Sequence, residues 1–338
     1  MWLPENTYIN ICKLAQEIFK NHYKTGCKNT IEVGSRHKSM TCTYILDMPE
    51  ELAKKGFNYF DSVVHDAIYT LQRSGKERIT LTDILRIMAY DNSLRLYYQK
   101  EKPQKRELRL RESVEKLMGT GIAIEFKDEV KKRNLTDADG KLLSGILVGK
   151  MVPLEADDDG KTFWFTEGKS LPVFQYAEYI RQIISVPGTL MAPEKYPFSN
   201  TDEVILLRRL LIQRLEVMAN EKNHLNGNKI RYYGAGKEDG ILPLLGIRKE
   251  NFAQEEVALR GSSRIRYQSR GWKNKVHEIH KKVQIILDAY KKMGYIEDYL
   301  PLRNGVRELV RGVEITGEIH RESIRNEKKI PESEETDS

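Results

Sequence analysis

The chain has 338 residues, of which 31% are charged, 40% hydrophobic and 9% aromatic, with a formal net charge of +7. That length suits about two domains, and that apolar content fills a sizeable core, which excludes wholesale disorder. No run of eighteen apolar residues occurs, so no spanning helix and no membrane partner are expected; Met1 to Glu5 lacks the basic start of a secretory leader, and three cysteines (Cys12, Cys27, Cys42) without a CxxC pair fit a reducing cytoplasm.

In chain order, Ile11, Leu14, Ile18 and Phe19 repeat at helical spacing. Met40 to Met48 is rich in β-branched residues and predicts a strand, and Pro49 opens a short helix that stops near Gly56. Phe60, Val64, Ala67, Ile68 and Leu71 form a clear helical stripe, with Asp61 at its start and Ser74-Gly75 at its end. Arg78 to Thr80 predicts a short strand, after which Thr80 and Asp83 make a variant capping box for a helix ending near Asp91. Pro103 starts a helix carrying Leu110, Val114, Leu117 and Met118. Strands follow at Ile122–Phe126, Gly145–Val152 and Thr162–Phe165, with a basic loop at Lys131-Lys132-Arg133 between the first two. Leu171 to Ser185 predicts a further helix through Phe174, Ala177, Ile180 and Ile184, and the proline-rich stretch Pro187 to Pro197 a linker.

The same order then recurs. A long helix carries Val204, Leu207, Leu211, Leu215 and Met218, and Lys229 to Tyr233 predicts a strand. A short apolar helix is expected within Glu238–Ile247, followed by a basic loop. A helix runs from Lys273 to Met293, and two strands flank the hairpin signal Asn304-Gly305. Helix, strand, helix, helix and hairpin is the order of a winged helix. The expected fold class is therefore α+β, with two tandem winged-helix domains. The boundaries are 1–56 for an N-terminal helix and strand extension, 57–186 for the first domain, 187–198 for a linker, 199–320 for the second domain, and 321–338 for a disordered tail.

The charge is unevenly placed. Lys100 to Arg111 carries a net +4 and Arg260 to Lys282 a net +7, while the last eight residues hold four acids and no base. Basic stretches inside globular sequence point to a polyanion, most simply nucleic acid. On the first basic helix the outward candidates are Gln104, Lys105, Arg106, Arg109 and Ser113, with Arg106 and Arg109 assigned to base readout. In the second half, Arg264, Arg266, Gln268 and Arg270 precede a helix that starts with Lys273, Asn274 and Lys275. A helix start attracts phosphate, so Arg266, Arg270 and Lys273 are assigned to phosphate contact. The wings offer Lys131, Lys132 and Arg133 in one copy, and Arg303, Arg307 and Arg311 in the other.

Catalytic signals are poor. Gly234-Ala235-Gly236-Lys237 lacks the spacing and the Ser/Thr of a phosphate-binding loop. His277 and His280 form HxxH rather than HExxH, which reads as a structural pair, and Asp157-Asp158-Asp159-Gly160-Lys161 reads as a turn. No catalytic centre, metal or cofactor is expected.

At this point FDSVVHDAIYTLQRSG, ITLTDILRIM and KRELRLRESVEKLMGTGIAIEF resemble the first domain of plasmid replication initiators built from two winged helices, and 202–316 resembles the second. The resemblance implies binding of origin repeats in double-stranded DNA and opening of adjacent AT-rich DNA. It also implies a homodimer through the first winged helix and host replication proteins as partners. A transcriptional regulator of the same fold is the alternative, and a metal-dependent nuclease or nicking enzyme a more distant one.

Overall fold

A computed structural model of the chain describes residues 8–12, 15, 18–19, 30–35, 38–91, 94, 103–168, 170–191, 201–219, 228–234, 240–253, 255–258, 265–303 and 309–320. The protein is α+β, with short antiparallel sheets and helices packed around them. The chain divides into two compact units, the first running to residue 193 and including 199–206, the second taking 194–198 and the chain from residue 207.

The first unit is organised on the helix α2 (Tyr59–Arg73), whose residues 59–71 are all buried. Asn58 caps it by accepting from the backbone N–H groups of Phe60 (2.8 Å) and Asp61 (3.3 Å), while Asp61 Oδ2 accepts from the Asn58 N–H at 2.7 Å. This reciprocal box satisfies donors that a helix start otherwise leaves open. The short α1 (Glu50–Lys55) precedes α2, and β4 (Arg78–Thr80) follows it. Thr80 and Asp83 then build the same kind of box at the start of α3 (Leu81–Ala89), ahead of α4 (Pro103–Met118).

Among the described residues, three sheets pack around these helices. Strands β1 (Tyr8–Cys12) and β9 (Ile183–Pro187) pair with each other. Strands β2 (Thr30–Ser35), β3 (Lys38–Leu46), β5 (Thr120–Glu125) and β6 (Ile146–Lys150) form a four-stranded antiparallel sheet in that spatial order. Strands β4, β7 (Leu154–Ala156) and β8 (Thr162–Phe165) form the third, with β8 in the middle. The helices α5 (Lys127–Arg133) and α6 (Pro172–Tyr179) complete the unit.

Four expectations change here. Ile11 lies on a strand, opposite Ile184, so neither belongs to the helix its spacing predicts. The helix expected over 171–185 stops at Tyr179. Arg181 takes a left-handed φ of 54°, with its N–H donating to Glu178 O (3.0 Å) and the Gln182 N–H to Ala177 O (2.8 Å). That is a Schellman stop without its usual glycine. Lys131, Lys132 and Arg133 form the last turn of α5 rather than a loop, where their charge complements the helix dipole. Finally, β5 pairs with both β3 and β6, so the two strands expected to form a wing belong to the four-stranded sheet, and β7 and β8 form a separate hairpin beside β4. Residues 1–56 are tied into the unit through β3 and through β1, whose Cys12 N–H donates to Asp66 Oδ1 (3.3 Å).

The second unit contains most of α7 (Asp202–Met218), then β10 (Lys229–Arg231), β11 (Glu255–Ala258), β12 (Ile265–Gln268), α8 (Arg270–Lys292), β13 (Ile296–Leu302) and β14 (Gly312–Ile319). Its three-stranded sheet has the order β10-β14-β13. The helix expected within Glu238–Ile247 is absent among the described residues, which form turns instead. The Ile241 and Leu242 N–H groups donate to Arg231 O (3.1 Å) and Tyr232 O (3.0 Å), and one turn follows, with the Leu245 N–H on Ile241 O (3.2 Å); Gly246 at φ 74° then ends it, with the Ile247 N–H on Leu242 O (2.9 Å). Gly240, at φ 97°, permits the approach to Tyr232, since a Cβ there would stand 2.4 Å from Tyr232 O. The basic loop expected before α8 contains the hairpin β11–β12. The Asn304-Gly305 turn and the tail 321–338 lie outside the described residues.

Candidate nucleic-acid interface

Helix α4 is docked by a buried carboxylate. Asp61 on α2 accepts from Lys116 Nζ at 2.6 Å and from Ser113 Oγ at 2.7 Å, and Lys116 also donates to Gly56 O at 3.1 Å. Leu110, Val114 and Leu117 fill the core on the same face. This rotation of the helix decides which cations reach solvent. Gln104, Lys105 and Arg109 are exposed, as is Leu108 at 57%.

Two of the outward assignments fail. Arg106 is 1% exposed, so it is a core residue and not a base reader. Ser113 is buried against Asp61. Arg109 is exposed but engaged: its guanidinium sits 3.1 Å from Asp202 Oδ2 and 4.1 Å over the Phe60 ring. Sequence phase could have flagged Arg106, since it precedes Leu110, Val114 and Leu117 by four, eight and eleven residues.

The hairpin β7–β8 next to α4 has an acidic tip. The Asp157 N–H donates to Thr162 O and the Gly160 N–H to Asp157 O, both at 2.9 Å, and Asp159 Oδ1 accepts from the Lys161 and Thr162 N–H groups. The Asp157–Lys161 run is thus a turn. The Arg111 guanidinium packs where a side chain on Gly160 would stand.

In the second unit, Ser269 caps α8 by accepting from the Trp272 N–H at 3.2 Å. Trp272 is buried, with Tyr233 and Phe252 edge-on to it at centroid distances of 5.5 and 5.8 Å. Val276, Ile279, Val283, Ile286, Leu287 and Tyr290 bury the rest of that face. The opposite face exposes Arg270, Lys273, Asn274, His277 and Lys281. Their spacing of three, four, seven and eleven residues makes one stripe about 16 Å long. Arg270 and Lys273 therefore sit on the helix itself, on the same face as Asn274. Lys275 is half-buried and turned to Glu278, which also holds Lys282. The paired carboxyl of Glu278 is held below the usual carboxylate range by Lys282 and Lys275, against an opposing effect of burial.

His277 and His280 part ways. His280 is buried, and its Nδ1 meets the Tyr232 hydroxyl at 2.8 Å; burial lowers its pKa to about 4. Glu297, Glu318 and His320 are the residues among those described whose ligand atoms gather within 4.8 Å of one another, and Glu297 already pairs with His320 at 3.4 Å. In the first unit a surface cleft of about 410 Å³ lies between α2 and α6, with Arg73, Gln72 and Glu178 on its walls.

The remaining assignments divide by position. Lys131, Lys132 and Arg133 are exposed on α5, with Arg133 paired to buried Glu129 at 2.5 Å. Arg266 and Gln268 lie on β12, Arg303 is exposed after β13, and Arg264 and Arg307 lie outside the described residues.

No protein-family model matches the chain, and no curated protein matches it. Among solved structures, the crystal structure of domain 2 and domain 3 of RctB aligns at a TM-score of 0.28 and 11% identity, over 75% of this chain and 94% of that one. A likeness at that level leaves the functional reading to the geometry.

Proposed function

We propose that the protein binds double-stranded DNA sequence-specifically through two tandem winged helices and acts as a replication initiator of a plasmid or mobile element, without a catalytic centre. The observation that carries this reading is a shared topology. In both units a short strand after a long helix pairs with the last strand of a hairpin, giving the orders β4-β8-β7 and β10-β14-β13. In both, a long helix precedes that hairpin directly or after an inserted segment.

In the second unit that helix is α8. Its exposed stripe offers donors of the kind that read guanine and adenine edges in a major groove, with flanking cations for phosphate. Asn274 suits adenine, Arg270 and Lys273 suit guanine or phosphate, and Arg303 suits the backbone. In the first unit Gln104 and Lys105 are the corresponding donors, and exposed Leu108 suits a thymine methyl. The acidic β7–β8 tip opposes phosphate, so this wing stays off the backbone.

The homodimer belongs to this reading as well. The outward face of the four-stranded sheet shows Ile45 at 66% and Val148 at 73% exposure, with β6 at one edge of the sheet. Such a face favours a second copy. Host replication proteins and a cytoplasmic location complete the proposal.

Footprinting the full chain on DNA from its own replicon tests it. Protection of tandem direct repeats beside an AT-rich segment is the expected result. One palindrome at a promoter would make the protein a regulator instead, and Mg²⁺-dependent cleavage would make it a nuclease.

A further inference from the structure

Arg109 joins two parts of the first unit that are far apart in sequence. Its guanidinium is gripped by Asp202 Oδ2 at 3.1 Å and backed by the Phe60 ring at 4.1 Å. Asp202 opens α7, directly after Thr201, whose carbonyl accepts from the Ile205 N–H (2.9 Å) and whose Oγ1 accepts from the Val204 N–H (3.4 Å). The side chain of Asp202 is 9% exposed and that of Arg109 is 47% exposed. Arg109 thus clips the first turn of α7 to the helix that carries Gln104 and Lys105. Residues up to Leu206 belong to the first unit, and α7 continues into the second from Leu207.

We propose that this clip is a latch opened by DNA: a phosphate arriving at α4 takes the Arg109 guanidinium from Asp202 and releases the first turn of α7. This rests on the reading of α4 as a DNA contact. The exchange is close to balanced. A guanidinium matches phosphate oxygens as well as carboxylate oxygens in its forked geometry. A pair this exposed on one side holds weakly, so the dense charge of a duplex competes with it. Asp202 is not left as a buried unpaired charge after release, because opening the turn that carries it gives its carboxylate to water. The bonds from the Ile205 and Val204 N–H groups to Thr201 are what the released turn gives up, which is why hydrogen exchange reads the opening. DNA contact on α4 is thereby reported to the helix that leads out of the unit.

The test uses the full chain, free and bound to a 30-base-pair duplex of random sequence at low salt. Hydrogen exchange is read over 199–210, and fluorescence anisotropy is read on the same samples. Wild type exchanges slowly when free and several-fold faster when bound. Asp202→Asn exchanges fast in both states and binds the duplex about two- to five-fold tighter, since Arg109 is no longer contested. Arg109→Gln also exchanges fast in both states but binds more weakly, and this opposite sign separates the latch from a general loss of structure. Two results overturn the proposal: bound wild type with unchanged exchange over 199–210, or Asp202→Asn that binds no tighter. Wild type that shows no anisotropy change overturns the reading of the DNA contact itself, and the latch with it.

Discussion

Lys116 Nζ lies 2.6 Å from Asp61 Oδ2 with both side chains buried, and the same carboxylate closes the capping box at the start of α2. One side chain therefore both starts the central helix and fixes the rotation of α4. Removing the cation leaves a buried charge uncompensated, which costs about 3–5 kcal/mol in comparable pairs. Lys116→Met should destabilise the first unit by that amount in urea unfolding. Ser113→Ala, which leaves the ion pair in place, should cost only about 1–3 kcal/mol.

Acid should loosen the first unit through His65. The ring is wholly buried, stacks on Phe174 at 5.3 Å, and has its pKa lowered to about 3 by burial, against a smaller raising effect from Met151. The folded state therefore resists protonation that the unfolded chain accepts. The stability is complete above the unfolded value of about 6.5 and falls as pH drops from there toward about 3. Between pH 7 and pH 5 the loss is about 2 kcal/mol from this ring. Denaturation at both pH values should show that slope in wild type and a flatter one in His65→Leu. His280, lowered to about 4 by burial, should add a slope of the same sign in the second unit.

The exposed stripe of α8 predicts how binding responds to salt. Lys273→Ala and Lys281→Ala should each lower the slope of log affinity against log salt by about one unit if they contact phosphate. Asn274→Ala should instead leave the slope alone and relax sequence preference, at about 1–3 kcal/mol on the preferred site. Titrations at four salt concentrations on specific and random duplexes separate the two behaviours.

The acidic hairpin tip should act in the opposite direction. Asp158 contributes only its N–H to the turn, through a bond to Asp157 Oδ1, so Asp158→Asn leaves the turn intact. With one repulsive charge removed, DNA affinity at low salt should rise about two- to three-fold, and the gain should fade as the Debye length shortens. Unchanged affinity at low salt would place this hairpin away from the duplex.

The apolar sheet face predicts an assembly state. Val148 is 73% exposed on β6, so Val148→Asp costs the fold little. A dimer built on this face should dissociate in that variant, read as a drop in sedimentation coefficient. An unchanged coefficient in a dimeric protein would put the interface elsewhere.

The start of α3 was legible because capping is local chemistry, with Thr80 and Asp83 three residues apart; at α2 the sequence marked Asp61 but not its capping partner Asn58. The core face of α8 was legible from period alone, but its exposed stripe was only partly so: Arg270 lies on the helix rather than before it, and Lys275 turns to Glu278. On α4 the helical period and the side-chain charge point in opposite directions. Arg106 falls in phase with Leu110 and Leu117, yet its charge suggested solvent, and the packing around α4 took its long side chain into the core. The stop of α6 at Arg181 was invisible because a left-handed arginine replaces the expected glycine.

By itself the sequence determined the α+β class, most helices and strands, and the two concentrations of positive charge, because each depends on residues within a few positions of one another. Tertiary structure alone decided the partners. Ile11 pairs with Ile184, β5 with β3, and Arg109 with Asp202, all across long stretches of chain. Strand pairing is bought with loop closure and repaid by burial summed over the whole unit, a balance that no local window contains.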